Sequence, residues 1–198
     1  MNTKLALLSV LLGTVAVANA DLVTNGGFET YNGPAFSSYY TITPADNGFN
    51  WLSGWSVGLV SIDIVDSAYS PISGKYMVDL AGTPAPGLIS QTLATSAGQQ
   101  YEVSFDARYT GDMINRDLTV LLGTDSHAIT LTASNAHYSF LSTAASANEV
   151  LTLRTDFANH TSGNEFVDNV SVQAVPEPAP FAMLGLGLLG LVRRRSVK

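Results

Sequence analysis

The chain contains no cysteine, so no disulfide braces it. Positive charge is almost as scarce. Between Asp21 and Val175 there are four cations (Lys75, Arg108, Arg116, Arg154) against 15 carboxylates, a net charge of −11. Such a domain repels a phosphate backbone, which excludes nucleic acid as a partner and leaves divalent cations and neutral polymers. The sequence also lacks a Gly-x-Ser-x-Gly elbow, a His-Glu-x-x-His pair and a His-x-His pair, and its histidines, His127, His137 and His160, stand apart. No catalytic residue is assigned, and the chain reads as a non-enzyme. A rival reading, a small glycan-processing hydrolase, rests on Asp63 and Asp66 as paired carboxylates. Long helical stripes are absent outside the two termini.

Both termini are addresses rather than domain. Lys4, the apolar run Leu5 to Val17 and Ala18-Asn19-Ala20 form a signal peptide over residues 1–20, so the mature protein begins at Asp21. At the other end stand Val175, Pro176, Glu177 and Pro178, then an apolar run from Ala179 to Val192, then Arg193, Arg194 and Arg195. That run is 14 residues long, about 21 Å as a helix against about 30 Å of hydrocarbon, and Gly185, Gly187 and Gly190 weaken it further. A marginal anchor with a cytoplasmic basic stop suits a segment meant for removal. Motif, spacing and basic end resemble the PEP-CTERM signal of Gram-negative bacteria. The resemblance implies a sorting segment over 175–198, a single hydrophobic helix in transient contact with the inner membrane, and cleavage by an exosortase-type transpeptidase. It also implies delivery to the cell surface or extracellular matrix. The alternative is an apolar C-terminal helix packed on the domain.

Residues 21–174 are long enough for one domain that folds without disulfides. Alternation dominates them: Tyr101, Val103, Phe105 and Ala107 are separated by Glu102, Ser104 and Asp106, the period of a half-buried strand. Comparable runs cover Trp55–Val65, Tyr76–Leu80, Leu88–Leu93, Asp117–Leu122, His127–Leu131, His137–Leu141, Glu149–Thr155 and Glu165–Val172, with Gly, Asn, Asp and Ser turns between them. The pattern predicts an all-β antiparallel sandwich.

Particular residues narrow the class. Leu22 to Glu29 (LVTNGGFE), Gly54-Trp55, Gly74 to Leu80 (GKYMVDL), Ile89 to Leu93, Gly98 to Asp106 and Phe166 to Val172 (FVDNVSV) occur in that order. Together they resemble the galactose-binding-like jelly roll of DUF642 proteins, choice-of-anchor C proteins and several carbohydrate-binding modules. In those jelly rolls the first and last strands meet and a calcium ion sits near their carboxylates. By that resemblance Asn25, Glu29 and Asp168 are the candidate metal ligands, with carbonyls of the Gly26-Gly27 turn completing a shell of six to eight oxygens. Counting by parity along the last strand, the pattern that buries Phe166 and Val170 also turns Asp168 inward, where a carboxylate needs a partner. Glu29 as a turn cap and Asp168 bonded to Arg or a backbone amide are the alternatives.

The segment Tyr31 to Trp55 holds Tyr31, Phe36, Tyr39, Tyr40, Phe49, Trp51 and Trp55 among Gly, Ser, Asn and Pro, the pattern of a long loop. Aromatic faces stack on sugar rings, and neighbouring amides bond hydroxyls. Trp51, Tyr39, Tyr40 and Asn50 are the candidate contacts, Trp51 as platform with Asp46 and Asn47 beside it, while Trp55 opens a strand and belongs to the core. A loop that packs its own aromatics over the sandwich edge is the alternative. Arg108 and Asp112, in a loop beyond a strand, are further candidates, or form a local salt bridge. The sequence thus points to a secreted, non-catalytic jelly roll that binds polysaccharide in a surface or biofilm matrix, with a purely structural matrix component as a third reading.

Overall fold

Alternating side chains become two stacked antiparallel sheets in the computed structural model, which describes residues 20–111, 117–155 and 163–176. The strands are β1 (Tyr39–Ile42), β2 (Ser56–Leu59), β3 (Ile62–Val65), β4 (Met77–Asp79), β5 (Gly87–Thr92), β6 (Gln100–Thr110), β7 (Asp117–Leu122), β8 (Asp125–Thr130), β9 (Ala136–Thr143), β10 (Val150–Thr155) and β11 (Asn164–Ala174). One sheet has the order β1-β3-β4-β11-β6-β9 and the other β2-β5-β10-β7-β8. Apart from the neighbouring pairs β3–β4 and β7–β8, successive strands cross between the sheets, and the architecture is an antiparallel jelly-roll sandwich.

The period-two residues of both inner faces meet in one core. Val57, Ile89, Val120 and Leu153 come from the five-stranded sheet, and Ile64, Val103, Phe105 and Val172 from the six-stranded one. Each such side chain removed from water contributes about 1.5–3 kcal/mol, which lets the sandwich stand without disulfides. Trp55 belongs here: it is buried, its ring lies 5.6 Å from that of Phe28, and its Nε1 donates to the Asn25 carbonyl at 3.0 Å.

Three local departures from the sequence pattern shape the functional surface. The run Trp55–Val65 is two strands in different sheets, because Leu59 adopts a left-handed φ of +61° and turns the chain out of β2 before β3 begins. The segment Tyr31 to Trp55 is no plain loop. It contributes edge strand β1, paired with β3 from Tyr39↔Val65 to Ile42↔Ile62, and a 3-10 turn over Pro44–Phe49. In β11 the register slips between Asp168 and Ser171, with Asn169 at φ +51°. Before this bulge Val167 faces the core and Phe166 the outer side, with Val65 and Met77; after it Val170 and Val172 face the core. Asp168 therefore shares the outer face of Phe166, not the inward face of Val170, because a bulge shifts alternation by one residue.

The N-terminal segment runs beside this bulge. Leu22 N–H donates to Val172 O at 2.9 Å, and Val170 N–H to Gly26 O at 2.9 Å. Only glycine fits at position 26, where a Cβ would lie 1.9 Å from the Val170 carbonyl oxygen. Among the described residues no helix is long and apolar enough to cross a membrane. Residues 1–19 of the expected signal peptide, the apolar C-terminal run, Glu177, Pro178, Arg193, Arg194, Arg195, Asp112, Arg116 and His160 lie outside the described residues.

Candidate functional site

The aromatic segment folds into a connected series of rings at one rim of the sandwich. Tyr31 packs edge-on against Phe36 (5.4 Å between centroids) and Tyr76 (6.0 Å), and Phe36 lies 5.7 Å from Tyr76. Tyr40 continues the series, 6.3 Å from Tyr31 and edge-on to Trp51 at 5.6 Å. Phe49 ends it, stacked on Trp51 at 5.1 Å and 17°. Trp51 is half-buried with one face covered, whereas Phe49 is 65% exposed, so the open platform is Phe49 backed by Trp51. Burial, then the neighbouring hydroxyls of Tyr40 and Tyr76, push the Tyr31 phenol up to about 12, so it stays a donor, bonded to the Pro34 carbonyl at 3.1 Å.

Polar residues of this segment hold the rim in place. Asp46 accepts from both the backbone N–H and the hydroxyl of Thr43 at 2.8 Å, capping the 3-10 turn. Asn47 acts as a surrogate strand, its amide donating to Val57 O at 2.8 Å and its oxygen accepting from Val57 N–H at 2.7 Å. Neither side chain stands free beside the platform as the sequence suggested. Asn50, left-handed at the end of the turn, accepts from Gly54 N–H at 3.3 Å. Tyr39, one residue from Tyr40 on a strand, points to the opposite, outer face, as alternation requires. Of the sequence-derived contacts, the fold therefore brings together Trp51, Tyr40 and Asn50. Tyr31, Phe36 and Tyr76 join them; the Gly74-Lys75-Tyr76 turn was legible in the sequence, but its place beneath the rings was not.

Next to the rings lies a carboxylate clamp. Glu29 Oε1 accepts from the N–H groups of Lys75 (2.8 Å) and Tyr76 (3.1 Å), and Asp168 Oδ2 accepts from Ser73 N–H at 2.8 Å. Asp168 is fully buried. Burial, with Glu29 and Asp106 as further causes, outweighs its two N–H bonds and pushes its carboxyl up to about 6. Glycine at position 74 lets the Glu29 carboxylate approach, since a Cβ there would lie 2.2 Å from Glu29 Oε1; at Gly27 a Cβ would make only ordinary contact, 3.9 Å from Asp168 Oδ1. The Asn25 side chain is engaged elsewhere: its amide donates to Thr30 O and Ser53 O at 3.1 Å and its oxygen accepts from Thr30 N–H at 2.9 Å, closing the turn. Among the described residues no group of three or more His, Asp or Glu is placed to hold a metal, so any ion here would rely on Glu29, Asp168 and backbone oxygens.

Each acid of the hydrolase reading is engaged in local hydrogen bonds. Asp66 caps the turn over Ser67–Tyr69 and accepts from Ala68 and Ser38 N–H groups. Asp63 accepts from the Thr41 and Thr83 hydroxyls at 2.7 Å and stands across the sheet from Asp79. Asp79 in turn accepts from the N–H groups of Ala81 and Glu165 and from the Asn164 amide, a fully bonded network that pins β1, β3, β4 and β11 together. Arg108 lies on the same outer face, 5.0 Å above the Phe166 ring, and donates to the carbonyls of Tyr69 and Ser70 and to Asn135 Oδ1. It ties the 66–76 segment to the sheet, away from the ring series.

Comparison with known proteins adds family and fold. The model of DUF642, a protein of unknown function, matches residues 21–172, and the PEP-CTERM protein-sorting motif matches residues 174–196. Halomucin of Haloquadratum walsbyi is 30% identical over 189 residues; the match takes in 84% of this chain and 2% of that protein, so the chain spans a small part of its relative's length. Among solved structures, a cyclase from Fischerella sp. TAU has a TM-score of 0.58 at 15% identity, covering 82% of this chain and 100% of that one. The CBM22-1 xylan-binding domain of Paenibacillus barcinonensis Xyn10C has a TM-score of 0.52 at 16% identity, covering 83% and 100%. At these identities the likeness is one of fold.

Proposed function

Because the chain belongs to the DUF642 family and ends in a PEP-CTERM protein-sorting motif, we propose that it is a secreted, non-catalytic protein that binds neutral polysaccharide on its aromatic rim. The observation that carries this reading is Phe49, exposed and stacked on Trp51 at the end of a braced series of rings. A flat platform held before the ligand arrives avoids ordering costs on binding, and it matches the C–H face of a pyranose ring. Charge selects the class of sugar. Between Thr30 and Ile62 the only charged side chain is Asp46, already bonded to Thr43, and the domain's net negative charge opposes uronates. The xylan-binding domain that shares this fold is consistent with the reading.

Two further parts belong to the proposal. An exosortase removes the tail after transient contact of the apolar run with the inner membrane, leaving the domain at the cell surface or in a biofilm matrix. A calcium ion held by Glu29, Asp168 and nearby backbone carbonyls braces a domain that has no disulfide; two carboxylates brought against the same Ser73–Tyr76 segment support this reading. The test is an array of neutral and uronate glycans probed with the wild type and with Phe49→Ala. Binding to neutral glycans that Phe49→Ala abolishes is expected. Binding that ignores Phe49, or none to any glycan, would reject the rim as the ligand surface.

A further inference from the structure

We infer that removal of the tail is ordered against folding: residues 174 and 175 belong both to the sorting motif and to the sheet, so the enzyme that cuts the tail acts on chains in which the end of β11 is released; this rests on the tail being cut off at all. The sorting motif matches residues 174–196, whereas β11 runs over Asn164–Ala174, so no spacer separates address from fold. Ala174 stands across from Tyr101 in the ladder with β6, and Val175 N–H donates to Gln100 O at 2.8 Å.

Pro176 has no N–H, so the ladder stops there. The Val175 carbonyl is taken by a side chain instead: Gln99 Nε2 donates to it at 2.8 Å and to Gln100 O at 2.8 Å. Gln99 is itself fixed, its carbonyl accepting from Ala144 N–H at 3.0 Å. Both main-chain groups of the residue before Pro176 are therefore occupied. Further back, Val172 is held from the N-terminal side, its N–H donating to Asp21 Oδ1 at 3.0 Å and its carbonyl accepting from Leu22 N–H at 2.9 Å. Val172 is also buried in the core, so release is confined to Gln173, Ala174 and Val175. A cutting enzyme takes its substrate as an extended strand and bonds its main-chain groups, which the sheet and Gln99 withhold. The step breaks one peptide bond beyond Val175, passes the carbonyl to an amine or to water, and leaves the proton on the new amino end of the tail. Its rate follows the fraction of chains with the strand end open, because such ends open locally far more often than the domain unfolds.

The experiment pulse-labels the full chain in its native host and follows loss of the tail in wild type, in Gln99→Ala and in a chain with Gly-Ser-Gly-Ser-Ala-Val inserted after Val175. The insertion keeps Ala-Val ahead of Pro176 but frees that pair from the sheet. Removal should be about fivefold faster in Gln99→Ala, the effect of one hydrogen bond lost from the closed end. It should be faster still with the insertion, and adding Gln99→Ala to the insertion should give no further gain. Melting temperatures of the secreted proteins should agree closely, so that faster removal reports the strand end and not loss of the fold. Equal rates in all of them would overturn the ordering and leave tail removal standing. A tail kept by wild type and every variant would reject removal itself, and the ordering with it.

Discussion

At Asp79 a carboxylate is almost wholly buried on β4, directly across from Asp63 on β3. Burial is the main reason its carboxyl is pushed up to about 6; its three hydrogen bonds oppose the shift and Asp63 adds to it. The sign follows from proton counting. Between about pH 4 and pH 6 the folded chain holds a proton on Asp79 that the unfolded chain has released, so stability falls as pH rises through this window and is flat above it. The loss for this one group is about 3 kcal/mol at most. Denaturant unfolding of the calcium-free protein across pH 4–7 should show the decline, and Asp79→Asn should reduce it, leaving the share that Asp168, also pushed up to about 6, contributes over the same window. A stability that climbs from pH 4 to 6 in the calcium-free protein would mean other carboxylates dominate. The two tryptophans separate core from surface at the same scale. Trp55→Ala, in the core against Phe28, should cost about 3–5 kcal/mol of stability by thermal or denaturant melting.

Among the elements, β6, β7, β9 and β10 follow their period-two patterns closely, because each keeps one face on the core without interruption. Those four runs were legible for that reason. What alternation could not convey was where the backbone departs from a pleat. Leu59, a left-handed leucine, splits one apparent strand between two sheets, and the bulge at Asn169 reverses the faces of Phe166 and Val170. The candidate site suffered in the same way. Trp51 and Tyr40 were found by residue type, but Phe49 as platform, Tyr76 as floor and the use of Asn47 as a strand surrogate depend on contacts between distant segments. The docking of the N-terminal segment on β11 can be tested at Gly26. Gly26→Ala places a Cβ against the Val170 carbonyl and should destabilise the domain by about 2 kcal/mol or more, read as a fall in the denaturant midpoint. An unchanged midpoint would mean that the segment is held elsewhere.

For the molecule as a whole, a strongly negative sandwich precedes a PEP-CTERM protein-sorting motif, and its stability and destination are separate matters. Intact-mass spectrometry of protein from the native host should give a chain that starts at Asp21 and lacks Arg193 to Lys198; a retained basic end would reject cleavage of the tail. Calcium at 100 times its dissociation constant should add about 2.7 kcal/mol to the folded state, visible as a lower melting temperature in chelator. Identical melting curves would leave Glu29 and Asp168 as holders of the 73–76 segment alone. The most direct measurement of the central claim is calorimetric titration of a neutral glycan into wild type and Phe49→Ala, with melting curves of both. An exposed stacking residue contributes to the ligand and little to the fold, so affinity should fall about tenfold or more while stability changes by no more than about 0.5 kcal/mol. Unaltered affinity, or a large loss of stability with Phe49→Ala, would make the ring series a packing device and contradict the account.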